Sequence, residues 1–136
     1  MKAYWPIGLF GIFGALSRYE LGLWVQDWRP SSSFPAGTLI INLAGCLLLG
    51  WFANWAASKS GMPAWFRTGF GTGFVGSFTT FSTFSVETVS LMKEDQAGLA
   101  ALYVASSLIG GLAFAAIGYW ISQAQSRRRT RGAEPS

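Results

Sequence analysis

The sequence predicts an all-α membrane protein with four transmembrane helices per subunit and a break in the third. Three observations carry that prediction. The 136 residues are 51% hydrophobic and only 12% charged, with a mean hydropathy of +0.34, which leaves too few charges to cover a soluble globule. Four apolar stretches, at about 5–26, 38–57, 69–92 and 98–121, each reach the length that a bilayer core demands of a helix, about 20 residues. The separators between them are short and rich in Ser, Pro, Gly, Lys and Glu, so no soluble domain fits. Residues 1–121 therefore read as a single four-helix transmembrane domain and 122–136 as a basic, disordered tail.

The first stretch follows Lys2 and carries Arg18 and Glu20 where a signal peptide would have small residues before a cleavage site, so it reads as a retained helix. Gly8, Gly11 and Gly14 in it, with Gly69 and Gly73 in the third, are small residues at helical spacing that let backbones approach closely in lipid. The second stretch holds Asn42 in an apolar run, and the fourth holds Tyr103 and Ser107 one turn apart. Trp5, Trp24, Trp28, Trp51, Trp55, Trp65 and Trp120 lie near span ends and read as interface anchors.

The third stretch is the most informative. Gly76-Ser77-Phe78-Thr79-Thr80-Phe81-Ser82-Thr83-Phe84-Ser85 packs hydroxyls and rings into an uncharged, membrane-length segment. On one continuous helix, Phe78, Phe81 and Phe84 would fall close to one face, with hydroxyls between them. A ring has a negative face and a positive edge, so edges and hydroxyl protons presented to a narrow path favour an anion. Glycines weaken the helix around Gly73 to Thr80 while hydroxyls satisfy freed backbone groups, so a break is expected there, with unwound carbonyls able to hold a cation. Gly71-Thr72-Gly73-Phe74-Val75-Gly76 matches a dinucleotide fingerprint, but its flanks are membrane-length apolar sequence and not a βαβ unit.

Composition excludes several functions. The net charge of +4 and pI of about 9.6 come mostly from Arg127, Arg128, Arg129 and Arg131, which follow an apolar helix as a cytoplasmic cluster does, so nucleic-acid binding is disfavoured. Cys46 is the single cysteine, which rules out an intrachain disulfide, and histidine is absent. No catalytic constellation is visible, and the chain does not read as an enzyme. Asn42 is either an amide aimed at an anion or an interhelical hydrogen bond, and Arg18 either draws anions into a vestibule, snorkels, or pairs with Glu20 or Glu87.

Gly14-Ala15-Leu16-Ser17-Arg18-Tyr19, then Gly37-Thr38-Leu39-Ile40-Ile41-Asn42-Leu43-Ala44-Gly45, then the run from Gly73 to Glu87 resemble the three signature regions of the Fluc fluoride channels, in order and at suitable spacing. The resemblance spans nearly the whole chain before the tail. It implies a passive, fluoride-selective channel in the bacterial cytoplasmic membrane that lowers fluoride toxicity. It further implies an antiparallel, dual-topology homodimer with two pores, and a structural sodium ion at the dimer centre. By position, Phe81 and Phe84 correspond to the pore-lining rings, Asn42 to the pore amide, and Ser82, Thr83, Tyr103 and Ser107 to polar pore positions. Arg18 corresponds to a vestibule cation, and Gly76 and Thr79 to the residues whose backbone carbonyls hold the sodium. Gly111 departs from the pattern, because a second serine is common there.

With the N-terminus inside, Lys2, Lys59, Arg67 and the tail arginines lie inside, against Arg29 and Lys93 outside. That bias favours one orientation, so either the tail contributes little to insertion or the subunit pairs with an oppositely inserted homologue; the homodimer is the expected partner. The rivals are a small multidrug-type proton-coupled transporter using Glu20 and a non-transporting membrane assembly protein. Both leave the Phe/Thr/Ser run unexplained.

Overall fold

A computed structural model describes residues 4–28 and 33–131, with the side chains of residue 28 and residues 128–131 excepted. Every regular element among the described residues is helical. Helix α1 spans Tyr4–Trp28 and α2 spans Ala36–Ala57. The third apolar stretch is composite: α3 (Ala64–Thr68), a π-helix (Gly69–Val75), α4 (Gly76–Phe78), and then α5 (Phe81–Lys93). Helix α6 runs over Ala97–Arg131.

Local chemistry explains the boundaries. Pro6 sits in the first turn of α1, where its missing N–H costs nothing. Arg67 Nη2 donates to Ala56 O at 3.3 Å, placing a cation on the carbonyl end of α2. Helix α5 ends where Asp95 turns left-handed at φ 57°, and Gln96 N–H reaches back to Leu91 O at 2.9 Å in a Schellman closure.

The contacts set the directions. Helix α1 and the rod from α3 to α4 run parallel, with Ile7 and Phe10 beside Gly73 and with Gly14 beside Phe74 and Ser77. Helices α2 and α6 also run parallel, matching Leu43 with Gly110, Gly50 with Ala115, and Trp51 with Gln125. Gly22 of α1 instead meets Ile41 of α2, and Val25 meets Gly37, so these two helices are antiparallel. At Gly118 an added Cβ would strike the backbone of Leu47 and Trp51, which explains a glycine in that seam.

Two helices are long and apolar enough to cross a membrane, Ala36–Ala57 and the Ala97–Arg127 part of α6. Helix α1 is diluted by Arg18, Glu20 and Asp27, and the third apolar stretch is divided so that its longest piece has 13 residues. The break expected around Gly73 to Thr80 falls at the end of that stretch, at Thr79 (φ −78°, ψ 156°) and Thr80 (φ −141°, ψ 123°), while the glycines before it widen into the π-helix, which keeps the backbone bonded. Phe78, Phe81 and Phe84 do not form one row. Phe78, itself buried, closes a half-buried ladder of Phe66, Phe70, Phe74 and Phe78 with centroids 6.3, 5.2 and 6.0 Å apart, and the break resets the register before Phe81. The tail expected to lose order from Ser122 continues α6 instead: Ser126 Oγ donates to Ser122 O at 3.2 Å, and Gln125 accepts from Trp51 Nε1 at 3.1 Å. Residues 132–136 lie outside the described residues.

Candidate functional site

The break is built by competition for backbone groups. In a continuous helix Thr80 N–H would close on Gly76 O, and Thr83 N–H on Thr79 O. Here Thr80 N–H donates to Asn42 Oδ1 at 2.9 Å, and Thr83 N–H donates to Thr80 Oγ1 at 3.2 Å as an N-cap of α5. Asn42 Nδ2 returns a bond to Thr80 O at 3.0 Å. The side chain of Asn42 thus stands in for a neighbouring strand beside one extended residue. Of its two alternative readings, the interhelical hydrogen bond is the one formed, and it uses one of the two amide protons.

The same competition leaves the carbonyls of Gly76 and Thr79 without their helical N–H partners. Gly76 is exposed, and a Cβ there would meet nothing within 4 Å. Oxygen donors of this kind suit a hard cation. The residues present therefore fit the expected sodium, although two carbonyls fill only part of a coordination shell.

Because α2 and α6 run parallel, polar residues at one-turn spacing come opposite one another at three levels. At the first, Thr38 Oγ1 donates to Glu87 Oε1 at 2.8 Å and Tyr103 OH donates to Glu87 Oε2 at 2.7 Å, so one carboxylate joins α2, α5 and α6. At the second, Asn42 and Ser107 line one cavity, and Ser107 Oγ is buried with no hydrogen-bond partner. At the third, Gly111 offers no side chain, and Cys46 Sγ lies 3.4 Å from where its Cβ would stand.

The cavity has a volume of about 400 Å³. Phe81 and Phe84 join Asn42, Thr79, Thr80 and Ser107 in its wall, with no charged side chain among the described lining residues. Phe81 is 79% exposed, and its ring lies 5.9 Å from that of Phe84 at 36°. Phe84 in turn tilts against Tyr103 at 5.0 Å, and Tyr103 meets Phe34 edge-on at 5.7 Å. A second cavity, of about 450 Å³, is lined by Arg18, Gln26, Thr38 and Glu87. Glu87 therefore stands between the Arg18 cavity and the ring row.

The expected site residues divide accordingly. Asn42, Phe81, Phe84, Ser107, Gly76 and Thr79 share the cavity wall, Tyr103 is fully buried behind Phe84, and Arg18 belongs to the other cavity. Ser82 and Thr83 are exposed and do not line that wall; Thr83 Oγ1 accepts from Thr80 Oγ1 at 3.0 Å, which commits it to the cap. Glu20, on which the transporter reading depends, is exposed and lines neither cavity. In the sequence Glu87 reads only as a partner for Arg18, and Thr38 does not stand out by itself. The available signal was a carboxylate within an apolar span, which is costly in lipid and usually serves a purpose.

Comparison with known proteins gives a consistent result. Residues 5–119 match the family model described as CrcB-like protein, Camphor Resistance (CrcB). The fluoride-specific ion channel FluC 1 of Bacillus cereus (strain ATCC 10987 / NRS 248) is 50% identical over 117 residues, covering 85% of this chain and 84% of that protein. The fluoride-specific ion channel FluC 2 of Geobacillus kaustophilus (strain HTA426) is 46% identical over 124 residues, 91% of this chain and 95% of the relative. The FluC 2 channel of Listeria innocua serovar 6a (strain ATCC BAA-680 / CLIP 11262) is 41% identical over 122 residues, covering 90% and 92%.

Proposed function

The chain belongs to the CrcB-like protein family, and from that premise we propose that it is a fluoride-selective ion channel acting passively in the bacterial cytoplasmic membrane. The observation that carries the reading is the cavity in which Asn42, Phe81, Phe84 and Ser107 meet without a charged group. Fluoride is small and holds its water strongly, so a path must replace that shell with donors without trapping the ion. Neutral hydroxyl and amide protons and ring edges meet that need in series, each weakly.

Arg18 raises the local concentration of anions at the mouth. Tyr103 and Thr38 hold the Glu87 carboxylate, which keeps its charge engaged beside the path. Phe84 and Phe81 then present their edges, and the unpartnered Ser107 hydroxyl and the remaining amide proton of Asn42 donate to the ion. Export runs down the membrane potential and the concentration gradient. Hydrogen fluoride enters cells as a neutral acid and dissociates inside, so an open anion path lowers accumulation.

In this reading α1, α2, the composite third rod and α6 all cross the bilayer, and two subunits pair antiparallel to complete the pores. Support comes from the open side of the cavity. Phe81 stands 79% exposed, and the released carbonyls of Gly76 and Thr79 need partners that lipid tails lack. Those carbonyls, with their counterparts, would hold a structural sodium ion, which supplies positive charge at the subunit interface.

The test is fluoride release from liposomes containing the purified protein, with a potassium ionophore carrying the balancing charge and chloride-loaded vesicles alongside. Fast fluoride loss without chloride loss is expected. Equal loss of both ions overturns selectivity, and no flux in a preparation shown to be an antiparallel dimer overturns the channel.

A further inference from the structure

The fold gathers basic residues at one end of the molecule and keeps its acidic residues away from it. The ring of Trp5 stacks on Trp65 at 6.4 Å, Arg67 Nη2 reaches Ala56 O, and Trp51 Nε1 bonds Gln125. The start of α1, the end of α2, the start of α3 and the end of α6 therefore share one end. Lys59, Arg67, Arg127, Arg128, Arg129 and Arg131 belong to it by chain connection. The carboxylates of the described residues lie elsewhere: Glu20 and Asp27 towards the end of α1, Glu87 beside Thr38 and Tyr103, and Glu94 and Asp95 in the turn before α6. An anion that complements the basic end has to come from outside those residues.

The end of α6 shows which way part of this charge faces. Gln125 is tied to Trp51 and Ser126 Oγ to Ser122 O, and the helix keeps its register through Arg131. At about 100° per residue, positions 120, 127 and 131 fall within roughly 40° of one another. Gly111 and Gly118, which pack on α2, and the fully buried Ser122 occupy the opposite side. Leu102, Ile109 and Ala113 continue the Trp120 stripe towards the start of the helix, and all three are exposed. The two arginine positions therefore prolong the apolar outer stripe of a membrane-length helix, past an indole that is 66% exposed.

Indoles at span ends sit at the level of lipid headgroups, and Arg127 stands about 10 Å further along the axis. Side chains leave a helix tilted towards its N-terminus, which here turns Arg127 back towards the membrane. Like charges one turn apart repel, so the stripe costs stability until an anion comes between them. A phosphate does so with charge-assisted hydrogen bonds, which the planar guanidinium makes in pairs. A soluble anion offers the phosphate without the acyl chain that the stripe before Trp120 matches.

We propose that the end of α6 docks an acidic phospholipid. Its phosphate is taken at positions 127 and 131, its glycerol and upper chain lie along Trp120 and Ala113, and Lys59 and Arg67 add to the positive field. The proposal goes beyond conduction and needs only that this end of α6 emerges into a headgroup layer, on either face of the membrane.

The test follows thermal unfolding of the purified full-length protein in a neutral detergent as lipid is titrated in. Dioleoyl phosphatidylglycerol is expected to raise Tm, and dioleoyl phosphatidylcholine at the same concentration is not. In the double variant Arg127→Gln, Arg131→Gln, roughly 10- to 30-fold more phosphatidylglycerol should be needed for half the effect. The double variant Arg29→Gln, Lys93→Gln loses the same net charge at the other end of the molecule, and it should shift that midpoint by less than about 2-fold. Equal stabilisation by the two lipids overturns the proposal, as does an equal shift in the two double variants. Glycerol 3-phosphate and polyglutamate separate the other sources of negative charge. Either one raising Tm as phosphatidylglycerol does, through the same two arginines, would assign the site to a free phosphate or to an acidic protein segment and overturn the lipid. Unfolding is read without ion flux, so this proposal and the channel reading fail independently.

Discussion

Asn42 and Thr80 are joined by two hydrogen bonds across 38 positions of sequence, Thr80 N–H to Asn42 Oδ1 at 2.9 Å and Asn42 Nδ2 to Thr80 O at 3.0 Å. This pairing holds the break between α4 and α5 open. It occupies the N–H that would otherwise close on Gly76 O, and it fixes where α5 begins, and therefore where Phe81 and Phe84 point. One amide side chain thus ties the position of the rings to α2.

Replacing Asn42 by Ala should therefore do more than remove an anion contact. Both main-chain groups of Thr80, which is 8% exposed, would lose their partners. At about 1–3 kcal/mol for each buried group left unsatisfied, the expected loss for the two is roughly 2–6 kcal/mol. Thermal unfolding in detergent should show a clear fall in Tm, together with loss of fluoride flux. An Asn42→Ala protein that unfolds like the unaltered chain would show that the pairing contributes nothing to the fold.

Phe84 touches Phe81 on one side and Tyr103 on the other, so it fixes the ring row. Changing Phe84 to Ile keeps an apolar side chain but removes the polarised edge. Flux is expected to drop to that of empty liposomes, while size-exclusion chromatography shows the same assembly. Normal conduction by the Phe84→Ile protein would remove this ring from the path.

The carboxylate of Glu87 accepts from Thr38 Oγ1 and Tyr103 OH, and hydrogen bonds to a charged acceptor contribute about 1.5–3 kcal/mol. Tyr103→Phe and Thr38→Val should each destabilise the fold by about that amount. Because both bonds end on one carboxylate, the double variant should depart from additivity by at least ~0.5 kcal/mol. Urea unfolding of the four proteins of the cycle measures this, and strict additivity would mean that Glu87 does not couple the two. Glu87→Gln, which keeps an acceptor but loses the charge, should recover part of the stability that Glu87→Ala loses.

The all-helical fold, its apolar segments and the presence of a break could be read in the residues, because hydrophobic length and a run of Gly, Ser and Thr are local signals. Its exact place within Gly73 to Thr80 could not. It depends on Asn42, 38 residues away, offering Thr80 a better partner than its own helix does, and the glycines before it found a π-helical solution of their own. Phe78 was grouped with Phe81 and Phe84 by spacing alone, a rule that holds only while the helix is continuous. Glu87 was legible as a polar group inside an apolar span, whereas its partners at separations of 49 and 16 residues appear only in the tertiary fold. Polar composition suggested disorder after Ser122, but Gln125 docks on Trp51 and the helix carries on.

Gly45 offers a test of how closely the break is held against α2. A Cβ at this position would collide with the Thr79 methyl, while Phe78 Cδ1 would stand at 3.5 Å, an ordinary contact. Gly45→Ala should gain about 1 kcal/mol of helix preference and lose about 1–3 kcal/mol to overpacking, with Thr79 forced to move. Since Thr79 is extended and its neighbour Thr80 carries the cap, that movement should disturb the start of α5 and lower flux more than it lowers Tm. Thr79→Ser removes the obstructing methyl and keeps the hydroxyl that donates to Val75 O at 3.0 Å. The double variant Gly45→Ala, Thr79→Ser should therefore recover both Tm and fluoride flux. If Gly45→Ala alone conducts and unfolds like the unaltered chain, α2 and the break are not in the close contact described; if the double variant fails to recover, the obstruction is not the Thr79 methyl.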